Sequence, residues 1–209
     1  MRAPLITRCF FLAVAIACLG VYSYSYLDRV LFQTYESREF DRTPERGASS
    51  VAHSIGRIAP AGRSSRLPSR TALIGRLSIP RLHWSAMVRE GIGENTLRIA
   101  VGHIPATALP GQTGNVGVAA HRDTFFRGLK DLKNQDEIQF ATLDGDFKYV
   151  VESLAIVEPD DVGVLDPSAG NVLTLVTCYP FTYIGNAPKR FVVKARQVSP
   201  ETAPPSTVE

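Results

Sequence analysis

"TLVTCYPFTYIGNAPKRFVV", residues 174–193, decides how this chain is read. It climbs through a β-branched, apolar run to Cys178 and breaks into a loop rich in turn formers. It then resumes as a second β-like run after Lys189 and Arg190. Cys178 is the only cysteine beyond the first eighteen residues. A thiol that ends one strand beside a cationic pair that opens the next admits two readings. A buried cysteine can act as a small apolar filler, whereas an odd cysteine in an exported domain is a reactive thiol or an intermolecular bridge.

The N-terminal sequence places that cysteine outside the cytoplasm. Residues 9–27, "CFFLAVAIACLGVYSYSYL", carry no charge, and about 20 apolar residues span a bilayer as a helix. Arg2 and Arg8 precede the run, which favours an N-terminus kept inside, and Tyr22, Tyr24 and Tyr26 sit where an aromatic belt meets the far interface. Residues 1–8 are thus expected in the cytoplasm, 9–27 as a transmembrane signal anchor, and the rest beyond the membrane. A cleaved signal peptide is the alternative, and "AIAC", ending at Cys18, loosely resembles a lipoprotein processing site. All three options export residues 28–209. Cys9 and Cys18 lie in the apolar segment, so Cys178 has no partner within its own domain.

Charge separates the chain into two materials. Residues 1–70 hold ten arginines and five acids, and residues 71–209 hold thirteen basic and fifteen acidic residues. The overall charge of +3 therefore belongs to the N-terminal region, and the remainder gives no support for nucleic-acid binding. Residues 28–70, rich in Arg, Ser, Pro and Gly, read as a flexible tether that could be helical just after the membrane, with His53 a solvated residue inside it. Residues 199–209, "PETAPPSTVE" after Ser199, read as a disordered tail.

Between them the pattern is mostly β. "ALIGRLSIP", "LHWSAMVRE", "NVGVAAH", "NVLTLVTC" and "RFVVKARQV" are short apolar-alternating runs, and "DEIQFATLDGDFKYVVESLAIVEP" is a hairpin around Asp144-Gly145. Helical signals are brief: "ENTLRIA" and "TFFRGLKDL". Many short strands with glycine and proline punctuation predict a closed barrel or a sandwich. No repeat, no phosphate-cradling glycine loop and no His/Cys metal spacing is present in the sequence.

A cysteine nucleophile needs a thiolate or a base that makes one. Three histidines are available in the domain. His83 lies within an expected strand beside Trp84, as a packing or surface residue. His103 sits in an expected loop with two prolines. His121 ends the "NVGVAAH" strand, where an imidazole can meet a cysteine at another strand end. Arg190 carries a permanent charge and planar donors suited to an oxygen that gains negative charge. Its alternative is an ordinary solvated strand start. Base, nucleophile and cation at three strand ends are what acyl transfer requires.

These segments resemble the sortase family. "TLVTC" is similar to the signature around the sortase nucleophile, and "DDVGVLDPSAGNVLTLVTC" to the stretch before it. "GNVGVAAHRDTFFRGLKDL" resembles the segment around the family's catalytic histidine, and "APKRFVVKA" the strand bearing its arginine. "VGHIPATALPGQTGNVGVAAHRDTFF" with "TCYPFTYIGNAPKRFVV" is most similar to class D sortases. The resemblance covers about residues 71–198. It implies a closed eight-stranded β-barrel with short helices, Cys178 as nucleophile, His121 as general acid and base, and Arg190 as the cation at the substrate carbonyl. It further implies cleavage of an LPxTG-like sorting signal on exported proteins and transfer to an amine of the cell envelope or a pilus subunit. His103 resembles a histidine of the class D loop and is treated as local structure. Ala120 stands where the family usually has glycine. No cofactor is expected. Asp136, Glu137, Asp160 and Asp161 are the acidic residues that a calcium site would draw on, and solvated turns are the alternative for all four. The rival functions are an inactive sortase-like binding module and a cysteine peptidase in which water resolves the thioacyl enzyme.

Overall fold

The computed structural model describes residues 5–42 and 72–198; residues 1–4, residues 43–71 with His53, and the 199–209 tail lie outside the described residues. Helix α1 spans Leu5–Arg42. At about 1.5 Å per residue its 38 residues reach roughly 57 Å, nearly twice the ~30 Å hydrocarbon thickness of a bilayer. Its apolar stretch has mean hydropathy 1.8, sits near the N-terminus and is unburied among the described residues; by length and composition it could cross a membrane.

The helix does not end where the apolar run ends. Residues 28–42, which composition assigned to a flexible tether, continue it without a break. The reason is tertiary. The Gln33 side chain accepts a hydrogen bond from Met87 N at 2.8 Å and donates one to the Ile99 carbonyl at 2.8 Å. Arg76 donates to both oxygens of Asp41, at 2.7 and 3.1 Å. Asp28 pairs with Arg98, and Phe40 is buried beneath the Arg76 guanidinium. Polar composition alone suggests a solvated chain; here the polar groups are the docking contacts.

Residues 72–198 form a barrel. In chain order it is built from β1 (Leu73–Ile79), β2 (Trp84–Glu90), helix α2 (Glu94–Ile99), β3 (Val101–His103), β4 (Gly114–Ala119), β5 (Glu137–Ala141), β6 (Asp146–Val157), β7 (Asn171–Tyr179) and β8 (Lys189–Val198). The eight strands of the described residues close in the order β1-β2-β3-β4-β7-β8-β6-β5. β2–β3 and β4–β7 are parallel pairs, and the other contacts are antiparallel. Side-chain alternation explains the core. Leu77 and Ile79 of β1, Ile138 and Phe140 of β5, and Leu173 and Leu175 of β7 all point inward and are fully buried. Asp144-Gly145 makes the expected β5–β6 turn, where Thr142 N and its hydroxyl both donate to the Gly145 carbonyl at 2.9 Å.

β4 is buried on both faces. Val116 and Val118 face the core. On the other side, a Cβ at Gly117 would lie 3.0–3.2 Å from side chains of Leu165, Thr107 and Ile104. Glycine there lets the 104–107 and 162–165 segments close over the strand, which fixes the strand that leads to His121. Two expectations are corrected. His83 is not in a strand: it has φ 49° and closes the 3-10 turn Pro80–Leu82, with its N–H donating to the Pro80 carbonyl at 3.0 Å. His103 is not in a loop: it is the last residue of β3, a three-residue strand too short to stand out in sequence.

Candidate active site

Backbone register brings the backbones of the three candidate residues together. β7 ends and β8 begins so that Cys178 is paired directly with Arg190. β4 runs parallel to β7 with Ala119 opposite Val176, so two residues further along each chain His121 comes level with Cys178. Two bonds hold that continuation beyond the ladder: Ala120 N donates to the Val176 carbonyl at 3.4 Å, and the buried Thr177 hydroxyl donates to the Ala120 carbonyl at 2.7 Å. The chain then turns into the 3-10 helix Phe125–Asp131. Phe126 N donates to the His121 carbonyl at 3.1 Å, while Phe125, Phe126 and Leu129 bury into the barrel end. Ala120, the residue that replaces a family glycine, is accommodated with its side chain buried.

His121, Cys178 and Arg190 line one open cleft with residues 122–123 and 185–187. Cys178 is a half-buried free thiol. The His121 ring is exposed and makes no hydrogen bond among the described residues. The Arg190 guanidinium uses Nη1 for the carbonyls of Lys189, at 3.0 Å, and Ala187, at 3.3 Å. Its Nε and Nη2 carry no bond among the described residues. Lys189 takes the opposite face of the strand and pairs with Glu158 at 2.9 Å, as strand alternation demands. The loop between Cys178 and Arg190 is closed by Arg122, which donates from Nη2 to the carbonyls of Tyr183 at 2.7 Å and Gly185 at 2.9 Å. Neither Thr177 nor Arg122 was singled out from sequence. Thr177 lies inside the quoted "TLVTC", where its hydroxyl beside the cysteine was the available signal.

His103 does not line the cleft. It is buried, with Nδ1 2.7 Å from Glu90 Oε2 and Nε2 2.9 Å from the Ala108 carbonyl. Glu90 comes from β2, whose parallel pairing sets it opposite His103. The pair is a structural lock. His103→Ala is expected to leave the Glu90 carboxyl buried without a partner and to cost about 3 kcal/mol or more of stability, the scale of breaking a buried pair. Urea unfolding of the two proteins measures it.

Of the acidic residues considered for calcium, Asp136 is committed elsewhere. Arg81 donates to both its oxygens at 2.5 Å, and Lys133 N adds a third bond at 2.7 Å. Glu137 accepts from Gln139 at 2.6 Å, and Asp160 and Asp161 are exposed. Among the described residues no three His, Cys, Asp or Glu side chains gather as metal donors. The Arg81 side-chain bond holds the Asp136 carboxyl below the usual carboxylate range, against the opposing effect of burial. A carboxyl lowered by folding stabilises at pH values above its unfolded pKa of about 4 and loses that contribution as pH falls through its folded value. The wild type is therefore expected to lose stability below about pH 4 more steeply than Asp136→Asn, which chemical denaturation across that range reads directly.

A closed eight-stranded barrel that brings a free cysteine, an unpartnered imidazole and an arginine to one cleft is the frame of a cysteine acyl-transfer enzyme. The Sortase domain family model matches residues 77–198. Sortase D of Bacillus subtilis (strain 168) is 32% identical over 138 residues, spanning 66% of this chain and 70% of that protein. The solved Clostridium perfringens Sortase D5 transpeptidase superposes with a TM-score of 0.56 at 29% identity, covering 61% of this chain and 79% of that one. Sortase C-1 from Actinomyces oris superposes with a TM-score of 0.57 at 29% identity, covering 61% and 74%. The chain belongs to the sortase family, whose members are cysteine transpeptidases.

Proposed function

We propose that this chain is a membrane-anchored sortase that cleaves an LPxTG-like sorting signal and passes the acyl group to an amine of the cell envelope or of a pilus subunit. The observation that carries the reading is the register that sets Cys178 opposite Arg190 and level with His121. Cys178 passes its thiol proton to His121 and its sulfur attacks the Thr–Gly (or Thr–Ala) carbonyl carbon of the sorting signal. Negative charge builds on the carbonyl oxygen, where Arg190 donates through the nitrogens left free of the loop. The C–N bond breaks as His121 gives a proton to the leaving amine, and a thioester to Cys178 remains. An incoming amine then attacks the thioester. His121 takes its proton and returns it to sulfur as the C–S bond breaks, which frees the thiol.

The apolar half of α1 supports a single-pass anchor, and Arg2 and Arg8 support an N-terminus on the cytoplasmic side. An anchored enzyme meets substrates held at the same membrane. The test is to incubate the full-length protein in detergent with a sorting peptide, with and without a primary amine. A transpeptidase forms the amide ligation product when the amine is present. Cleavage to the free acid alone points to a peptidase, and binding without cleavage to an inactive module.

Arg190 should resist conservative replacement. Lysine keeps the charge but loses the planar fork, so Arg190→Lys is expected to lower kcat/KM on the order of a hundredfold, as removal of an oxyanion donor does. Lys189→Ala removes only an exposed pair with Glu158 and should change the rate little. A crippled Lys189→Ala beside an active Arg190→Lys would make Lys189 the working cation.

A further inference from the structure

We propose that Arg122 is a positioning residue for acyl transfer: it grips the β7–β8 loop and through that loop sets where Arg190 stands against Cys178. The proposal rests on the sortase reading above and adds a residue to its machinery.

Two arginines hold the same loop from its two ends. Arg122, one residue after His121, bonds the carbonyls of Tyr183 and Gly185. Arg190, at the start of β8, bonds those of Ala187 and Lys189. The start of the loop is anchored by Phe181, which packs against the core and edge-on to Phe191, and by Tyr183 N donating to the Pro180 carbonyl at 3.3 Å. The stretch from Tyr183 to Gly185 is gripped by a cation that belongs to the histidine segment. The Arg122 guanidinium also lies over the Tyr183 ring, 5.8 Å from its centroid, a favourable cation–π placement. Gly185 has φ +98°, a conformation that turns its carbonyl toward Arg122 and that other residues adopt only with strain. Ile184, between the two gripped carbonyls, is 96% exposed, so the loop gains nothing from burying its tip. At that tip the side-chain bonds to the loop backbone come from Arg122.

One further atom argues for a role in the site over a role in stability. Arg122 Nη1 is buried and has no hydrogen-bond partner among the described residues. Buried charged donors are normally satisfied, and an orphan is costly. Residues that break such a rule sit characteristically at functional sites. Arg122 satisfies the loop carbonyls with Nη2 and leaves Nη1 buried without a partner among the described residues. It is placed by the geometry of the loop, not by the fullest use of its own donors.

The experiment is a double-mutant cycle on the full-length protein in detergent, reading kcat/KM with one sorting peptide and one amine. Arg122→Ala alone is expected to lose roughly tenfold to a hundredfold, the scale of a misplaced catalytic group. In an Arg190→Ala background the same change is expected to lose less than about twofold, because a residue that works through Arg190 has nothing left to position. A purely structural role would multiply the two losses. Gly185→Ala is the second arm: a Cβ there meets open space, so it perturbs the loop backbone without crowding the barrel, and its loss should also vanish in the Arg190→Ala background. If Arg122→Ala does not fold, the Gly185 arm decides. Wild-type rates in Arg122→Ala beside a crippled Arg190→Ala, or losses that multiply, overturn this proposal and leave the sortase mechanism standing. Full activity in Arg190→Ala overturns both.

Discussion

Cys178→Ala is expected to abolish turnover and leave the barrel folded. The proposed reaction passes through a bond to Cys178 Sγ, and alanine offers no atom to make it. The stability cost is small for a geometric reason. Cys178 sits at the last turn of the ladder, half-buried at the cleft, whereas the strand's core contacts come from Leu173 and Leu175. Loss of one sulfur at that position opens no sealed cavity, so the several kcal/mol of a large core truncation do not apply. Peptide cleavage followed by chromatography, with thermal unfolding alongside, separates the two effects. A folded but inactive variant is the expected result.

His121→Ala is expected to lower the rate by about two to four orders of magnitude, the usual contribution of a positioned acid and base. It should barely alter stability, because the ring is exposed and bonds to nothing among the described residues. His103→Ala should behave in the opposite sense, losing stability through Glu90 and keeping the chemistry in the molecules that remain folded. Initial rates at a temperature where both variants are folded distinguish them. Equal losses from the two histidines would contradict the assignment.

The contrast between those histidines shows what the sequence made legible. His121 could be read because β4 is a clear apolar run and the imidazole follows it directly. Cys178 and Arg190 could be read for the same reason: each stands where a strong β pattern stops or starts. His103 could not, because its strand has three residues and a central glycine, and its partner Glu90 belongs to a different strand. Parallel pairing between β2 and β3 brings the two together, and no local pattern encodes it. His83 was misread since β1 ends before Pro80 but the left-handed turn at His83 delays the start of β2 from Leu82 to Trp84. Residues 28–42 were read as a tether that could be helical just after the membrane; the helix is there, while the contacts that dock it lie in β1, β2 and α2 and were not legible in its polar composition. Arg122 was hidden for a related reason. Its partners are backbone carbonyls more than sixty residues away, and carbonyls leave no trace in a sequence.

The central claim is that Cys178 carries the acyl group. The most direct measurement is intact mass spectrometry of the full-length protein after brief exposure to a sorting peptide without added amine, followed by peptide mapping. The account predicts a mass increase equal to the peptide up to its scissile threonine, located on Cys178, absent in Cys178→Ala and discharged by a primary amine. Peptide cleavage that proceeds in Cys178→Ala, or an acyl group mapped to another residue, would contradict it.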